Sequence, residues 1–378
     1  MGDIRIIRVE NEVDKLRFIK FPWSIYRDYP NWVPPLLYDV RKNLDTSKNP
    51  FYKHARIQLF LAMDGKTPVG RIASIVNDYH NQKYSDKVGF VGYFDCINSK
   101  VVSSALFDAA GIWLKEQGMD TMRGPINLSV NDELGMLTNS YDKPPVLLMT
   151  YNPEYYLSLF TNYGFEKVKD LYAYYIDQDM CNTNKKAMDK LERVSELVKK
   201  RENIKIRNVV LNDLENELLK VMEVYNSAWV ENWGSVRMTA DEFKHVASSL
   251  KPLVDEDIVY FAEVDNKPVG FSLSMPDYNK IFKKMNGKLF PLGIFKLLIG
   301  KKKIDGIRVI MMGVIPEYQR KGIEAVFIQN TIKTALTKGY TKAEISWILE
   351  DNTPMVQTAV NLGADQYKTY RIFDKKIN

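Results

Sequence analysis

The sequence predicts an α/β (α+β) protein of two tandem domains, each a mixed, mostly antiparallel sheet flanked by helices. Three observations carry that prediction. The chain has 378 residues, more than one hydrophobic core usually serves. Short motifs recur about 200 residues apart. The segment from Ile310 to Asn330 passes from an apolar β-type run, through Pro316 and a basic, glycine-bearing turn, into a helical pattern.

The repeat orders the elements. Each half opens on a short β-type run, IRIIRV from Ile4 and IKIRNV from Ile204. Next come FLAMDGKTPVGRIASIVNDY from Phe60 and FAEVDNKPVGFSLSMPDYN from Phe261, whose Asp-Gly and Asp-Asn turns between apolar runs mark β-hairpins. Gly70 and Gly270 differ by 200 positions. NPEYYLSLFTNYGF from Asn152 and NTPMVQTAVNLGA from Asn352 read as helices stopped by Gly164 and Gly363. Each half thus reads as strand, two helical segments, a three-strand meander, helix, strand, helix and a final hairpin. In the second half the strands are expected at 204–209, 258–264, 268–274, 307–314, 343–349 and 367–373, with a helix over 325–337. Between the halves, Met188, Leu191, Val194, Leu197 and Val198 recur at helical spacing, which predicts an amphipathic connecting helix over 185–201. The expected boundaries are a first domain at 1–178, a linker helix in 179–202 and a second domain at 203–378.

Composition narrows the function. With 45% apolar and 26% charged residues the chain is an ordinary globular one. Its opening, MGDIRIIRVENE, carries charge where a secretory leader needs an apolar core, and no stretch offers the roughly 20 apolar residues of a membrane span. A cytoplasmic setting is expected. Cys96 and Cys181 are too far apart for a metal-binding motif, and His54, His80 and His245 are scattered, so no metal is expected. The net charge is +6, yet Lys280 to Lys303 holds eight lysines and no acid, leaving −2 for the remainder. So local a charge argues against nucleic acid as a partner. The same insertion carries Ile281, Phe282, Leu289, Phe290, Phe295, Leu297 and Leu298. It suits peripheral contact with an anionic membrane, a long acyl chain, a mobile lid over the acyl site, or a plain surface excursion.

The turn Gln319-Arg320-Lys321-Gly322 resembles the pyrophosphate loop of the GNAT acyltransferases, in which Gln or Arg is followed by two residues, Gly, one residue, and Gly or Ala. Glu324 departs from the last position. The resemblance covers most of both halves. It implies acetyl-CoA or another acyl-CoA as co-substrate, with Gln319, Arg320, Lys321, Gly322 and Ile323 about the diphosphate and the main chain at Met312 and Val314 holding pantetheine. It puts Asn352 at the start of the helix after the fifth strand. Ala359 occupies the place of the family's thiolate-protonating tyrosine, and Phe160 follows Asn152 in the first half. Glu350 and Asp351 are candidate bases, or simply a helix cap. The first half lacks the loop, passing from its strand through Ser99 and Lys100 to Val101. It has instead a polar insertion from Arg123 to Asp142, where Asn127, Asn131, Asp132 and Glu133 are candidate amine-binding or base residues, or ordinary turn formers. Phe21 to Leu37 offers Trp23, Tyr26 and Trp32 to a substrate groove or to packing.

Three further segments, FPWSIYRDYPNWVPPLL from Phe21, NPFYKHA from Asn49 and GPINLSVNDELG from Gly124, resemble the bacterial YghO-like proteins and support the tandem arrangement. The two-domain plan is similar to that of N-myristoyltransferases and peptidoglycan aminoacyl transferases, in which one half keeps the cofactor. The resemblance implies acyl-CoA-dependent N-acylation, N-acetylation in its simplest form, of a small or peptide-like amine by direct transfer. Two rivals stay open: a non-catalytic acyl-CoA or ligand binder, and a membrane-surface lipid acyltransferase.

Overall fold

The computed structural model describes residues 3–201 and 204–377. Its strands are β1 (Ile4–Arg8), β2 (Ala55–Asp64), β3 (Thr67–Asn77), β4 (Val88–Cys96), β5 (Thr121–Gly124), β6 (Met136–Leu137), β7 (Glu166–Asp177), β8 (Lys205–Asn208), β9 (Val259–Val264), β10 (Lys267–Pro276), β11 (Gly306–Val314), β12 (Lys342–Leu349) and β13 (Asp365–Lys376). The chain forms two compact units. One runs to Leu171 and takes in Phe282–Ile294 and the residues from Lys368 onward; the other holds Tyr172–Ile281 and Phe295–Tyr367.

In the first unit the sheet order is β1-β2-β3-β4-β5-β13, antiparallel except for β4 and β5. Helix Lys100–Glu116 covers one face with Val102, Leu106, Phe107, Ala110 and Leu114. It comes close because β3 has Gly70 beneath it: a Cβ there would stand 2.7 Å from Leu106 Cδ1. In the second unit Gly270 plays the same part against the Phe327 ring, 3.1 Å from a built Cβ. The recurring Pro-Val-Gly is thus a place where a helix rests on a hairpin. A buried ionic knot also stiffens the first unit: Asp95 meets Arg71 at 2.7 Å and accepts from the Tyr26 and Tyr156 hydroxyls at 2.9 and 3.1 Å.

The second unit has the order β8-β9-β10-β11-β12-β7. Helices Leu214–Ala228 and Ala240–Leu250 cover one face through Val221, Val224, Tyr225 and Phe243. The other face carries Ile323–Thr337, Thr353–Leu362 and the connecting helix Lys185–Arg201. The connecting helix spends its apolar stripe locally, Met188 and Leu191 against Thr353–Leu362, Val194 and Val198 against Ile323–Thr337, while Leu197 stays exposed. Gly164 and Gly363 close their helices in the left-handed region, at φ 95° and 84°.

The final hairpin expected in each half is absent. One 12-residue strand stands in its place, β7 in the first half and β13 in the second. Neither contains Gly, Pro or Asn, the residues that most readily supply a tight hairpin turn. Past Leu171 the chain enters the second unit, and from Lys368 it returns to the first. The aromatic segment from Phe21 packs rather than lining a groove. Tyr26 stacks on Trp32, Trp23 meets Trp32 edge-on, and the Trp23 indole N–H donates to Asn286 Oδ1 at 2.8 Å.

Candidate active site

Both units contain a parallel strand pair, and the two pairs end differently. In the second unit the ladder between β11 and β12 runs from Gly306↔Lys342 to Val309↔Ile345. Beyond it both strands continue, unpaired with each other among the described residues. Main-chain groups released in this way can pair with an extended ligand. In the first unit the ladder between β4 and β5 ends at Phe90↔Arg123, and the chain itself then enters the gap. Ile126 N donates to Val91 O at 2.9 Å, and Tyr93 N donates to Asn127 Oδ1 at 2.6 Å. A Cβ at Gly92 would lie 2.1 Å from Ile126 O, so only glycine admits the loop.

That loop accounts for the polar insertion. Asp132 accepts from Ser129 Oγ at 2.8 Å, Asn131 N donates to Ser129 Oγ at 3.1 Å, and Glu133 Oε2 accepts from Asn127 Nδ2 at 3.2 Å. Burial, with the Asp132 charge among the lesser causes, pushes the Tyr52 and Tyr93 phenols up. Asp132 and Glu133 therefore belong to a first-unit cluster with these two tyrosines, and Glu350 and Asp351 belong to the second unit.

The phosphate-type turn leads from β11 into helix Ile323–Thr337. Gln319, Arg320 and Lys321 are exposed, Gln319 Nε2 donates to Val314 O at 3.1 Å, and the Lys321 ammonium sits 4.5 Å above the Tyr318 ring. Arg320 and Gly322 take positive φ, 61° and 87°. The N–H groups of Gly322 and Ile323 find no acceptor among the described residues, as expected in a first helical turn. They and the helix dipole suit an anion. Two neighbours compete for that space. The Glu324 carboxylate lies on its own backbone N–H, and burial raises its pKa. Val198 of the connecting helix would stand 2.7 Å from a Cβ at Gly322.

An apolar cleft runs between helices Ile323–Thr337 and Thr353–Leu362 over the paired part of β11 and β12, with Met312 just beyond it, and holds about 80 Å³. Met312, Ile328, Ile345, Met355 and Ala359 line it, with the Thr331 hydroxyl. Thr331 is 5% exposed and its Oγ1 has no hydrogen-bond partner among the described residues. Ala359, in the place of a tyrosine, contributes the room. Val314 is buried in the core beside Ile323. Asn352 caps helix Thr353–Leu362, its Oδ1 accepting from Met355 N at 3.3 Å, with Glu350 and Asp351 in the turn just before it.

Sequence reasoning missed a buried polar chain at the end of the ladder. Arg308 and Glu344 are register partners, each 2% exposed. Arg308 Nε donates to Ser346 Oγ at 3.1 Å, Ser346 Oγ donates to Glu344 Oε1, and the Tyr367 hydroxyl donates to Glu344 Oε2. The Arg308 guanidinium lies 5.0 Å from the Trp347 ring centre. Ala343 and Ile345 face the cleft, so strand alternation turns Glu344 and Ser346 to the opposite face. The signal was present in the string AEISW, where polar Glu344 and Ser346 alternate with apolar residues. Among the described residues no cluster of three His, Cys, Asp or Glu side chains forms a metal site.

No protein-family model matches the sequence. The chain is 35% identical to Protein YghO of Escherichia coli (strain K12), over 97% of this chain and 94% of that protein. It is 33% identical to the bacterial ceramide synthase of Caulobacter vibrioides, over 100% of this chain and 98% of that protein. Among solved structures it resembles a tandem GNAT protein from the clavulanic acid biosynthesis pathway, at TM-score 0.60 and 10% identity, covering 100% of this chain and 99% of that one. It also resembles a GCN5-related N-acetyltransferase from Sphaerobacter thermophilus, at TM-score 0.52 and 12% identity, covering 100% and 98%. These structures establish the fold, and the identities establish kinship: the chain is a tandem GNAT-fold member of the family that contains YghO and the bacterial ceramide synthase.

Proposed function

We propose that the second unit transfers an acyl group from coenzyme A to an amine, with a long-chain fatty acyl-CoA as donor and a long-chain amino alcohol of sphingoid type as acceptor. The observation that carries this reading is the apolar cleft over β11 and β12, which reaches the parting of the two strands at Met312. Each acyl methylene buried there contributes about 0.8 kcal/mol, a gain that a two-carbon acyl group hardly draws on. The relative named a ceramide synthase supports the acceptor class.

In the proposed reaction the neutral amine attacks the thioester carbonyl carbon. A C–N bond forms, the C–S bond breaks, the amine loses a proton, and coenzyme A departs as the thiolate, which takes up a proton from water to become the thiol. Main-chain N–H groups of β11 near Met312 would polarise the carbonyl oxygen. Glu344, held by Ser346 and Tyr367 on the sheet face opposite the cleft, would take the proton from an amine that approaches from that face. Arg320, Lys321 and the free N–H groups at Gly322 and Ile323 would hold the diphosphate.

The test offers acetyl-, octanoyl- and palmitoyl-CoA to the purified chain with a sphingoid base or a short amine, reading thiol release and the N-acyl product by mass. Palmitoyl-CoA with the sphingoid base should lead, and Ala359→Phe, which fills the cleft, should move the preference to shorter chains. Equal use of acetyl-CoA by the wild type would refute the reading. The contacts of Glu324 and Val198 at the phosphate turn favour one alternative, a binder of apolar ligands that catalyses nothing. It predicts that palmitoyl-CoA or palmitate binds in the cleft with no product on either amine.

A further inference from the structure

Helix Leu292–Lys301 has its apolar side turned outward. Its small residues mark the inner side. A Cβ at Gly293 would stand 2.3 Å from Lys288 O and 3.0 Å from the Met285 methyl, and one at Gly300 would stand 2.7 Å from Ile281 Cδ1. These two glycines, seven positions apart, let the helix lie flat on the preceding helix Asn279–Met285. The large residues mark the outer side: Leu292, Phe295, Leu298 and Ile299 are 66, 61, 65 and 68% exposed, and Phe290 just ahead is 68% exposed. Spaced three and four apart, the four helical positions form one stripe. A surface helix of a globular protein normally buries such a stripe, and this one leaves it in water.

The charge carried by the segment itself has one sign. Lys288, Lys296, Lys301, Lys302 and Lys303 are exposed. Among the described residues Lys288, Lys301, Lys302 and Lys303 have no carboxylate partner, in contrast to Lys280, which meets Asp305 at 2.8 Å. The whole segment from Lys280 to Lys303 contains no acid. At 10 residues the helix is too short to cross a bilayer, and no described helix is long and apolar enough to do so. Exposed aromatic and aliphatic side chains edged with lysine are the composition of a helix that lies in the plane of a membrane surface.

We propose that Phe290, Leu292, Phe295, Leu298 and Ile299 enter the headgroup boundary of an anionic phospholipid bilayer, with Lys288 and Lys301 to Lys303 on the lipid phosphates. The apolar residues supply depth and the lysines select anionic lipid. The inference stands apart from the acyl-transfer reading, because it concerns a different surface and is read without turnover.

The test is vesicle flotation of the full chain, with phosphatidylcholine alone or with one third phosphatidylglycerol. The wild type should partition at least 10-fold more strongly onto the anionic vesicles, and added salt should weaken but not abolish that binding. Phe295→Ser with Leu298→Ser should lower partition by roughly 30-fold on both vesicle types, from the apolar area lost. Lys301→Gln, Lys302→Gln and Lys303→Gln together should lower it by roughly 100-fold on anionic vesicles only, about fivefold per lysine. Thermal melts should be unchanged, since all five side chains are exposed. Wild-type protein that floats with neither vesicle would overturn the inference, as would a double-serine variant that floats like the wild type. A dimer in solution that the double-serine variant dissolves would also overturn it, by assigning the stripe to a second copy of the chain.

Discussion

Glu324 decides how tightly the phosphate turn can hold coenzyme A. Its carboxylate lies on its own N–H in the first turn of helix Ile323–Thr337, where the free amides of Gly322 and Ile323 would face a diphosphate. A carboxylate ~6 Å from one phosphate charge, at an effective dielectric near 20, costs about 3 kcal/mol. That corresponds to roughly 100-fold in affinity. Glu324→Ala should therefore tighten coenzyme A binding by about that factor in calorimetric titration, and Arg320→Ala should loosen it. The sign of the pH dependence follows. Burial raises the Glu324 pKa, so the group neutralises sooner than an ordinary glutamate as pH falls. Wild-type affinity should rise toward that of Glu324→Ala as the solution is acidified through the raised pKa, and the gap should reopen on return to neutral pH. Both proteins share the ligand's own titration, so the ratio of their affinities isolates residue 324. If Glu324→Ala binds no better than wild type at pH 7, or if the ratio does not change with pH, the carboxylate does not face the ligand and the assignment of the turn fails.

Other perturbations test other parts of the structure. Glu344→Gln should cut turnover with palmitoyl-CoA and a sphingoid base by roughly 100-fold or more, with the KM for acyl-CoA little changed, as expected for loss of a proton acceptor; unchanged turnover removes Glu344 from the mechanism. Arg71→Ala strands Asp95, which is 5% exposed, beside two phenols, and should cost about 3–5 kcal/mol in urea denaturation. A loss near zero would mean that water reaches the site. His80, 1% exposed, has its pKa lowered by burial from 6.5 to about 4, so at 3.5 Å from Asp86 its imidazole is neutral and forms no ion pair. Because the unfolded chain takes up that proton first, stability should fall with pH between 6.5 and about 4, by roughly 3 kcal/mol through this one site. His80→Leu should flatten the stability profile in that window, and a profile that keeps the wild-type slope would refute the assignment.

Much of the fold was legible because its signals are local. Helix Lys185–Arg201 begins and ends where its periodicity places it, and the β9 and β10 hairpin follows its turn residues. Gly164 and Gly363 stop their helices because only residues without a Cβ accept their positive φ cheaply. Part of the candidate site was legible for the same reason, since Gln319 to Gly322 form one continuous strand-turn-helix signal. Leu197, spaced like its neighbours, is exposed all the same, because periodicity identifies a stripe but not its edge.

The sequence by itself determined the order of the elements, their caps and turns, and the doubling of the whole pattern, all matters of residues within a few positions of one another or of one half repeating the other. Only the tertiary structure decided which strand completes which sheet, that Gly124 to Glu133 fills the first unit's gap while the second unit's stays open, and that Arg308, Glu344 and Tyr367 join in one buried chain. Those outcomes depend on strand register and on contacts across long stretches of chain. A buried charge is settled only by the partner that folding brings to it.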